Sequence, residues 1–255
     1  MLSRAKTRDR HEDVRAVPGL RPGRRCPKLG LRARQANVET VMRALVLDFG
    51  GVITKTVFET HDLSEKVLGL PPGTLTWRGP FDPASDPLWQ DMQADRISER
   101  EYYRIRALET GKLVGEHWDT FPKFLSRIRG DDPQSVIRPE ALDAIGRVKA
   151  AGMKLAILSN ELDLFYGAGF RKKLPFLREF DVISDATYTG VLKPDPRAYQ
   201  QCIEELAIPV ADCVFVDDQQ RNIDGANAIG LPSVKFDVQH PADGCQKALS
   251  LLGLA

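Results

Sequence analysis

Several features that would each define a class of protein are missing from this sequence of 255 residues. It has no uninterrupted apolar run near the roughly 20 residues that a membrane-spanning helix needs, so no membrane partner is expected. It has no excess of charge: 36 Lys and Arg nearly cancel 35 Asp and Glu, and without a net positive field no nucleic-acid partner is expected either. Any anion site must therefore be local. Cysteine is scarce. Cys26, Cys202, Cys213 and Cys245 include no pair at the spacing of a metal-ligand set or a redox motif, and no signal peptide precedes them. They are expected to be reduced thiols of a cytoplasmic protein, most of them filling core. Apolar content, by contrast, is ample: 42% hydrophobic and 28% charged residues fit a folded body, with length for one ordinary domain and a smaller inserted one.

The chain has no internal repeat, but its composition changes along its length. Residues 1–41 are rich in Arg and Lys and carry no sustained apolar periodicity, so a disordered basic extension is expected there. Three origins compete: a segment upstream of a true start at Met42, a basic tail, or an Arg-rich transit peptide. Asp9, Glu12 and Asp13 count against the last, and the position of Met42 directly before the first strand favours the first.

From there, short apolar runs alternate with helical patterns. Ala44 to Phe49, Lys154 to Leu158, Asp181 to Ser184, Cys213 to Val216 and Ser233 to Phe236 have the form of buried parallel strands. Helices are predicted at about 138–151, 195–207, 220–229 and 242–252. This is the pattern of an α/β fold, a doubly wound parallel sheet of Rossmann-like type, built from residues 42–55 and 137–255. Residues 56–136 break the rhythm. They hold helix-like stretches near 58–69, 86–95, 98–110 and 116–129 and no convincing strand, and Ser98 with Glu101 forms a candidate capping box. An all-helical insertion is expected.

Ligands of such sheets bind at the carboxyl ends of the strands, and four groups of polar residues fall there. Asp48 ends the first strand before Gly50 and Gly51, where glycine-turn amides can face an anion. An Asp in that setting also serves as a simple turn former. Ser159 and Asn160 end the second strand and can donate to a phosphate oxygen or merely cap a helix. Lys193, in Leu192-Lys193-Pro194-Asp195-Pro196, precedes a helix begun by Asp195 and Pro196; it can hold an ammonium over an anion or belong to a solvated turn. Asp217 and Asp218 end the fourth strand as adjacent carboxylates, which repel unless a cation lies beside them and which suit Mg²⁺.

In their order, DFGGVIT, LSN, LKPDP and VDDQQRNIDGA resemble the four motifs of the haloacid dehalogenase-like hydrolase superfamily, and the resemblance runs over about residues 43–236. The helical insertion is similar to the cap that many members carry between their first and second motifs. The resemblance implies a phosphatase acting on a small phosphorylated metabolite. Asp48 would attack phosphorus and form an aspartyl-phosphate. Mg²⁺ would be held by Asp48, the Gly50 carbonyl and Asp218, with Asp217 as a further candidate ligand. Lys193, Ser159 and Asn160 and the Gly51 amide would meet the phosphate. Asn222 and Asp224 would support these groups.

One position departs from the pattern. Phosphatases of the superfamily usually carry a second aspartate two residues after the nucleophile as acid and base, and here that residue is Gly50. Loss of a positioned acid costs about 10² to 10⁴ in rate. Glu59, His61 and Asp62 are near enough in sequence to substitute, although a solvated helix face is the simpler role for each. Trp77 and Arg78, in Trp77-Arg78-Gly79-Pro80-Phe81, are expected to reach the site as a specificity loop, against the alternative that the two aromatics fill core. Tyr102, Tyr103 and Trp118 fit core spacing. The rival functions are a carbon-halogen hydrolase of the 2-haloacid type, for which Gly50 would be normal and the acidic pair superfluous, a phosphoryl-transfer mutase, which would want the acid and base that Gly50 removes, and a phosphometabolite-binding module with weak or no turnover.

Overall fold

The computed structural model describes residues 43–129 and 133–255. The expected extension over 1–41, with Met42 and Cys26, lies outside them. Five strands, β1 (Ala44–Leu47), β2 (Lys154–Ser159), β3 (Val182–Asp185), β4 (Cys213–Asp217) and β5 (Ser233–Lys235), form one parallel sheet in the order β3-β2-β1-β4-β5. The chain steps outward from β1 to β3 and then returns to the other side of β1, so the order reverses between β1 and β4. A crevice opens at that reversal, beyond the carboxyl ends of the strands.

Burial on both faces explains why the strands read as near-continuous apolar runs. Leu45, Leu47, Leu155, Ile157, Val214 and Val216 point to one face. Ala44, Val46, Ala156, Leu158, Cys213 and Phe215 point to the other. Eleven helices accompany the sheet among the described residues. They are α1 (His61–Leu68), α2 (Pro87–Gln93), α3 (Glu99–Leu113), α4 (Phe121–Ile128), α5 (Pro139–Ala150), α6 (Leu162–Tyr166), α7 (Ala168–Lys172), α8 (Ala186–Thr189), α9 (Pro196–Leu206), α10 (Gln220–Ala228) and α11 (Pro241–Leu251). Ala144, Ile145 and Val148 of α5 and Ala248 and Leu249 of α11 cover the first face. Tyr199, Cys202 and Leu206 of α9 and Ile223 and Ala226 of α10 cover the second. Cys202 and Cys213 are buried free thiols inside that layer.

Between β1 and β2, α1 to α4 gather around an apolar cluster of their own that includes Phe58, Trp77, Tyr102, Trp118, Phe121 and Phe124. The chain enters and leaves this segment side by side: Lys55 N–H donates to the Val136 carbonyl at 2.7 Å, and Thr54 and Ile137 form an antiparallel bridge. Arg138 pins the junction. Its side chain is 2% exposed, its Nη1 and Nη2 donate to the two carboxylate oxygens of Glu59 at 2.9 and 2.6 Å, and its Nε donates to the Gly51 carbonyl at 3.1 Å.

Two local expectations change. Ser98 caps α3 by accepting from Glu101 N–H at 3.1 Å, but Glu101 turns its carboxylate to Arg104, so the box is one-sided. The short helices α6, α7 and α8 were not expected, being too brief for a helical period. Asp185, at the end of β3, accepts from Leu162 and Asp163 N–H at 3.2 and 2.9 Å and so begins α6 from a distant strand. No helix among the described residues is long and apolar enough to cross a membrane.

Arg138→Met should strand the Glu59 carboxylate and the Gly51 carbonyl. We expect a loss of about 3 to 5 kcal/mol, the usual cost of breaking a buried ion pair from one side, read from the midpoint of denaturant unfolding.

Candidate active site

Parallel pairing fixes what meets at the crevice. Leu47 is in register with Val216 on one side and Ile157 on the other, and Asp48 N–H donates to the Val216 carbonyl. Asp48, Asp217 and Ser159 therefore leave their strands at the same edge. The turn after Asp48 needs glycine at position 51 on two counts: its φ is +80°, and a Cβ there would lie 2.5 Å from an Asp218 carboxylate oxygen. At Gly50 a Cβ would meet nothing within 4 Å, so that side of the turn is open.

Lys193 is the central cation. It is 4% exposed, and its Nζ lies 2.9 Å from Asp48 Oδ1 and 2.7 Å from Asp217 Oδ2. Asn160 fixes the lysine from behind: its Oδ1 accepts from Lys193 N–H at 2.7 Å and its Nδ2 donates to the Lys193 carbonyl at 3.1 Å. Asp217, fully buried, also accepts from Asn222 Nδ2 at 3.0 Å on both oxygens and from Gln219 N–H at 2.8 Å. Asn222 is held in turn, because its carbonyl accepts the Tyr199 hydroxyl at 2.8 Å.

Three carboxylates face one ammonium here, and oxygens of Asp48, Asp217 and Asp218 lie within 4.8 Å of one another. The surplus negative charge is visible in their acidities. Burial, opposed by the Lys193 ammonium and reinforced by Asp217, pushes Asp48 up to about 7. Burial, then Asp217 and Asp48, raise Asp218 well above its ordinary value, against a smaller opposing effect of Lys235. Burial works against the charge on Lys193, yet Asp217 and Asp48 together raise its pKa. An all-oxygen cluster whose charge one lysine does not balance has the chemistry of a divalent-cation site.

These groups open into a cavity of about 80 Å³ shared with the helical segment. Asp48, Gly50, Gly51, Ser159, Asn160, Lys193 and Asp218 line it, as does Asn222, while Trp89, Glu99, Tyr103, Phe121 and Arg129 line it from the insertion. Neither Ser159 nor Asn160 caps α6, whose first two amides go to Asp185 and whose third goes to the Thr187 hydroxyl. Asp195 does cap α9, accepting from Arg197 N–H at 2.9 Å.

The structure corrects several expected placements. Trp77 and Arg78 do not reach this cavity: Trp77 is packed edge-on against Phe58 at 5.4 Å and His61 at 4.2 Å, and Arg78 is exposed. Only Pro80 of their loop lines it. Asp224 is exposed and paired with Gln220, away from the carboxylates. Glu59 is no solvated acid but the partner of Arg138, and His61 is buried, its pKa pushed down to about 4 chiefly by that burial. Asp62 is exposed as expected. Tyr103, expected in core, is a cavity wall, stacked on Phe121 at 4.3 Å. Glu99 and Arg129 were missed, because nothing in a helical period says which polar residue will face a site on another element, and Glu161 because the short helix it precedes was itself not expected.

Asn160→Ala should orphan both backbone groups of Lys193. We expect a loss of about 1 to 3 kcal/mol in unfolding free energy, which distinguishes a residue that holds Lys193 from one that only touches a ligand.

Comparison with known proteins adds the lineage. The chain is 33% identical over 83% of its length to Acyl-CoA dehydrogenase family member 10 of Mus musculus, of which it spans 19%. It is 30% identical over 45% of its length to Phosphatase MT3486 of Mycobacterium tuberculosis, spanning 54% of that protein. A further relative is (S)-2-haloacid dehalogenase 1 of a Pseudomonas species, 32% identical over 39% of this chain and 43% of the dehalogenase. The chain thus spans at most about half the length of these relatives. The haloacid dehalogenase-like hydrolase family matches residues 42–230, a stretch that contains strands β1 to β4 and the carboxylates, Lys193 and Asn160 just described, and the chain belongs to that family of hydrolases.

Proposed function

We propose that the protein is a Mg²⁺-dependent phosphatase of small phosphorylated metabolites that works through an aspartyl-phosphate on Asp48. The observation that carries this reading is the buried Asp48–Lys193–Asp217 array with Asp218 beside it. One oxygen of Asp48 faces the Lys193 ammonium, which leaves the other to attack phosphorus in line. The ester P–O bond breaks, the alcohol departs, and water then cleaves the acyl-phosphate and regenerates the carboxylate. Lys193 and the Ser159 hydroxyl would take the phosphoryl oxygens, with the Gly51 amide beside them. Asp48, the Gly50 carbonyl and Asp218 would hold Mg²⁺, which supplies neutralisation of charge on the transferring group. Asp217 would serve to position Lys193 instead of binding the ion, since both its oxygens already accept hydrogen bonds. Asn160 would act in the same way. Residues 56–136 would form a cap over the core made by 42–55 and 137–255, closing the cavity with Tyr103, Phe121 and Trp89.

A carbon-halogen hydrolase is the second reading. Gly50 favours it, because attack on carbon needs no acid at that position, and a haloacid dehalogenase is among the relatives. Asp218 disfavours it. A third carboxylate, half-buried beside the nucleophile, hinders an anionic substrate unless a cation joins it.

The deciding assay is p-nitrophenyl phosphate hydrolysis with and without Mg²⁺. We expect phosphate release that requires the metal and falls by more than about 10³-fold in Asp48→Asn. Metal-independent halide release from a 2-haloacid, with no phosphate release, would establish the second reading. The open space at Gly50 generates another test. Gly50→Asp fits sterically and returns an acid to the leaving-group side, so turnover of alkyl phosphates should rise by about 10-fold or more relative to p-nitrophenyl phosphate, whose leaving group needs no proton.

A further inference from the structure

We infer that Arg129 forms a second anion subsite in the cavity, so that the substrate is a small phosphate monoester bearing another oxyanion, a carboxylate or a second phosphate. The inference rests on the phosphatase reading of the same site. Arg129 closes the C-terminal end of α4, and its guanidinium lies over the Tyr166 ring at 4.6 Å. That contact satisfies its flat face and none of its N–H groups. Nε and Nη1 are enclosed, yet neither has a hydrogen-bond partner among the described residues.

Other enclosed arginines have ion-pair partners, although Arg106 and Arg221 each also leave Nε without a hydrogen bond. Arg138 is paired with Glu59, and Arg106 with Asp86 and Glu109. A guanidinium cannot shed its proton to escape such burial, so unpaired donors remain costly until an acceptor arrives. The acids that share the cavity do not supply one: Glu161 accepts from Arg100, and Glu99 accepts from Arg221 and Gln219. Asp48 is engaged by Lys193. The planar fork of Arg129 matches a carboxylate or phosphate edge. A cavity of about 80 Å³ also containing Asp48 and Lys193 has room for both anions only on one short molecule.

The test compares substrates differing in one anionic group: 2-phosphoglycolate against ethyl phosphate for a carboxylate, and 1,2-ethanediol bisphosphate against ethyl phosphate for a phosphate. We expect wild-type kcat/KM to favour at least one doubly anionic member, and Arg129→Met to collapse that preference by about tenfold to a hundredfold, mainly through KM. Arg129→Lys, which keeps the charge without the fork, should fall between. A wild-type enzyme indifferent to the second anion, or an Arg129→Met variant that weakens both members of a pair equally, would overturn the subsite. The same pairs are measured by thermal shift on Asp48→Asn with Mg²⁺, where no turnover is needed. A shift specific to the doubly anionic ligand that Arg129→Met or Arg129→Lys diminishes supports the subsite even if no ester is cleaved; equal shifts refute it, whatever the assay shows.

Discussion

The ammonium of Lys193 lies between two buried carboxylates, and the geometry of the site depends on it. Asp48 and Asp217 leave adjacent strands in register, too close for two negative charges in a low-dielectric edge. Lys193 resolves that conflict and is therefore the best-supported residue in the neighbourhood, with Asn160 on its backbone and Asp217 oriented by Asn222 and the Gln219 amide. Tyr199 reaches from α9 to Asn222, so the helix layer behind the sheet takes part in aiming a charge in front of it. Gly225 permits this closeness, since a Cβ there would come within 2.9 Å of Pro194 and of the Tyr199 hydroxyl.

The lysine balances only part of the charge. Asp218 adds a carboxylate with no ion pair among the described residues, opposed only by the field of Lys235 and packed against the backbone of Gly51. An enzyme core that concentrates negative charge where an anionic ester must bind is unfavourable unless a divalent cation completes it, and the proposed phosphatase chemistry uses that imbalance. Gly50 runs the other way. A Cβ there would meet nothing within 4 Å, and in the proposed phosphatase reaction the departing alcohol would obtain its proton from solvent or from the substrate side of the cavity.

How much of this could be read from the sequence follows from where each residue sits. Asp48, Ser159, Asp217 and Asp218 were legible because three parallel strands announce themselves as short apolar runs, and whatever ends such a run stands at the ligand edge; Lys193, which follows β3 only after α8, was legible from its place in Leu192-Lys193-Pro194-Asp195-Pro196 instead. The helical insertion was legible as helices but not as a surface. Trp77 and Arg78 stood out by composition, yet Trp77 fills the insertion's own core, while the inconspicuous Tyr103 and Arg129 face the cavity. A helix period reports that one face is apolar and does not report which neighbour it meets. The helices after β2 escaped for a related reason: α6 is begun by Asp185, more than twenty residues away, and a local search for caps has no access to such a bond.

The hydrogen bond from Lys55 to Val136, with the bridge between Thr54 and Ile137, brings the two ends of the inserted segment together like the posts of a gate. An insertion with adjoining ends can lengthen, shorten or be replaced with little disturbance to the sheet, because loop-closure entropy grows only slowly with the length enclosed. The residues that line the cavity from that segment can thus diverge at a pace of their own. Lineages built on this plan can inherit one reaction centre intact while exchanging, as a cassette, the part that selects what enters it.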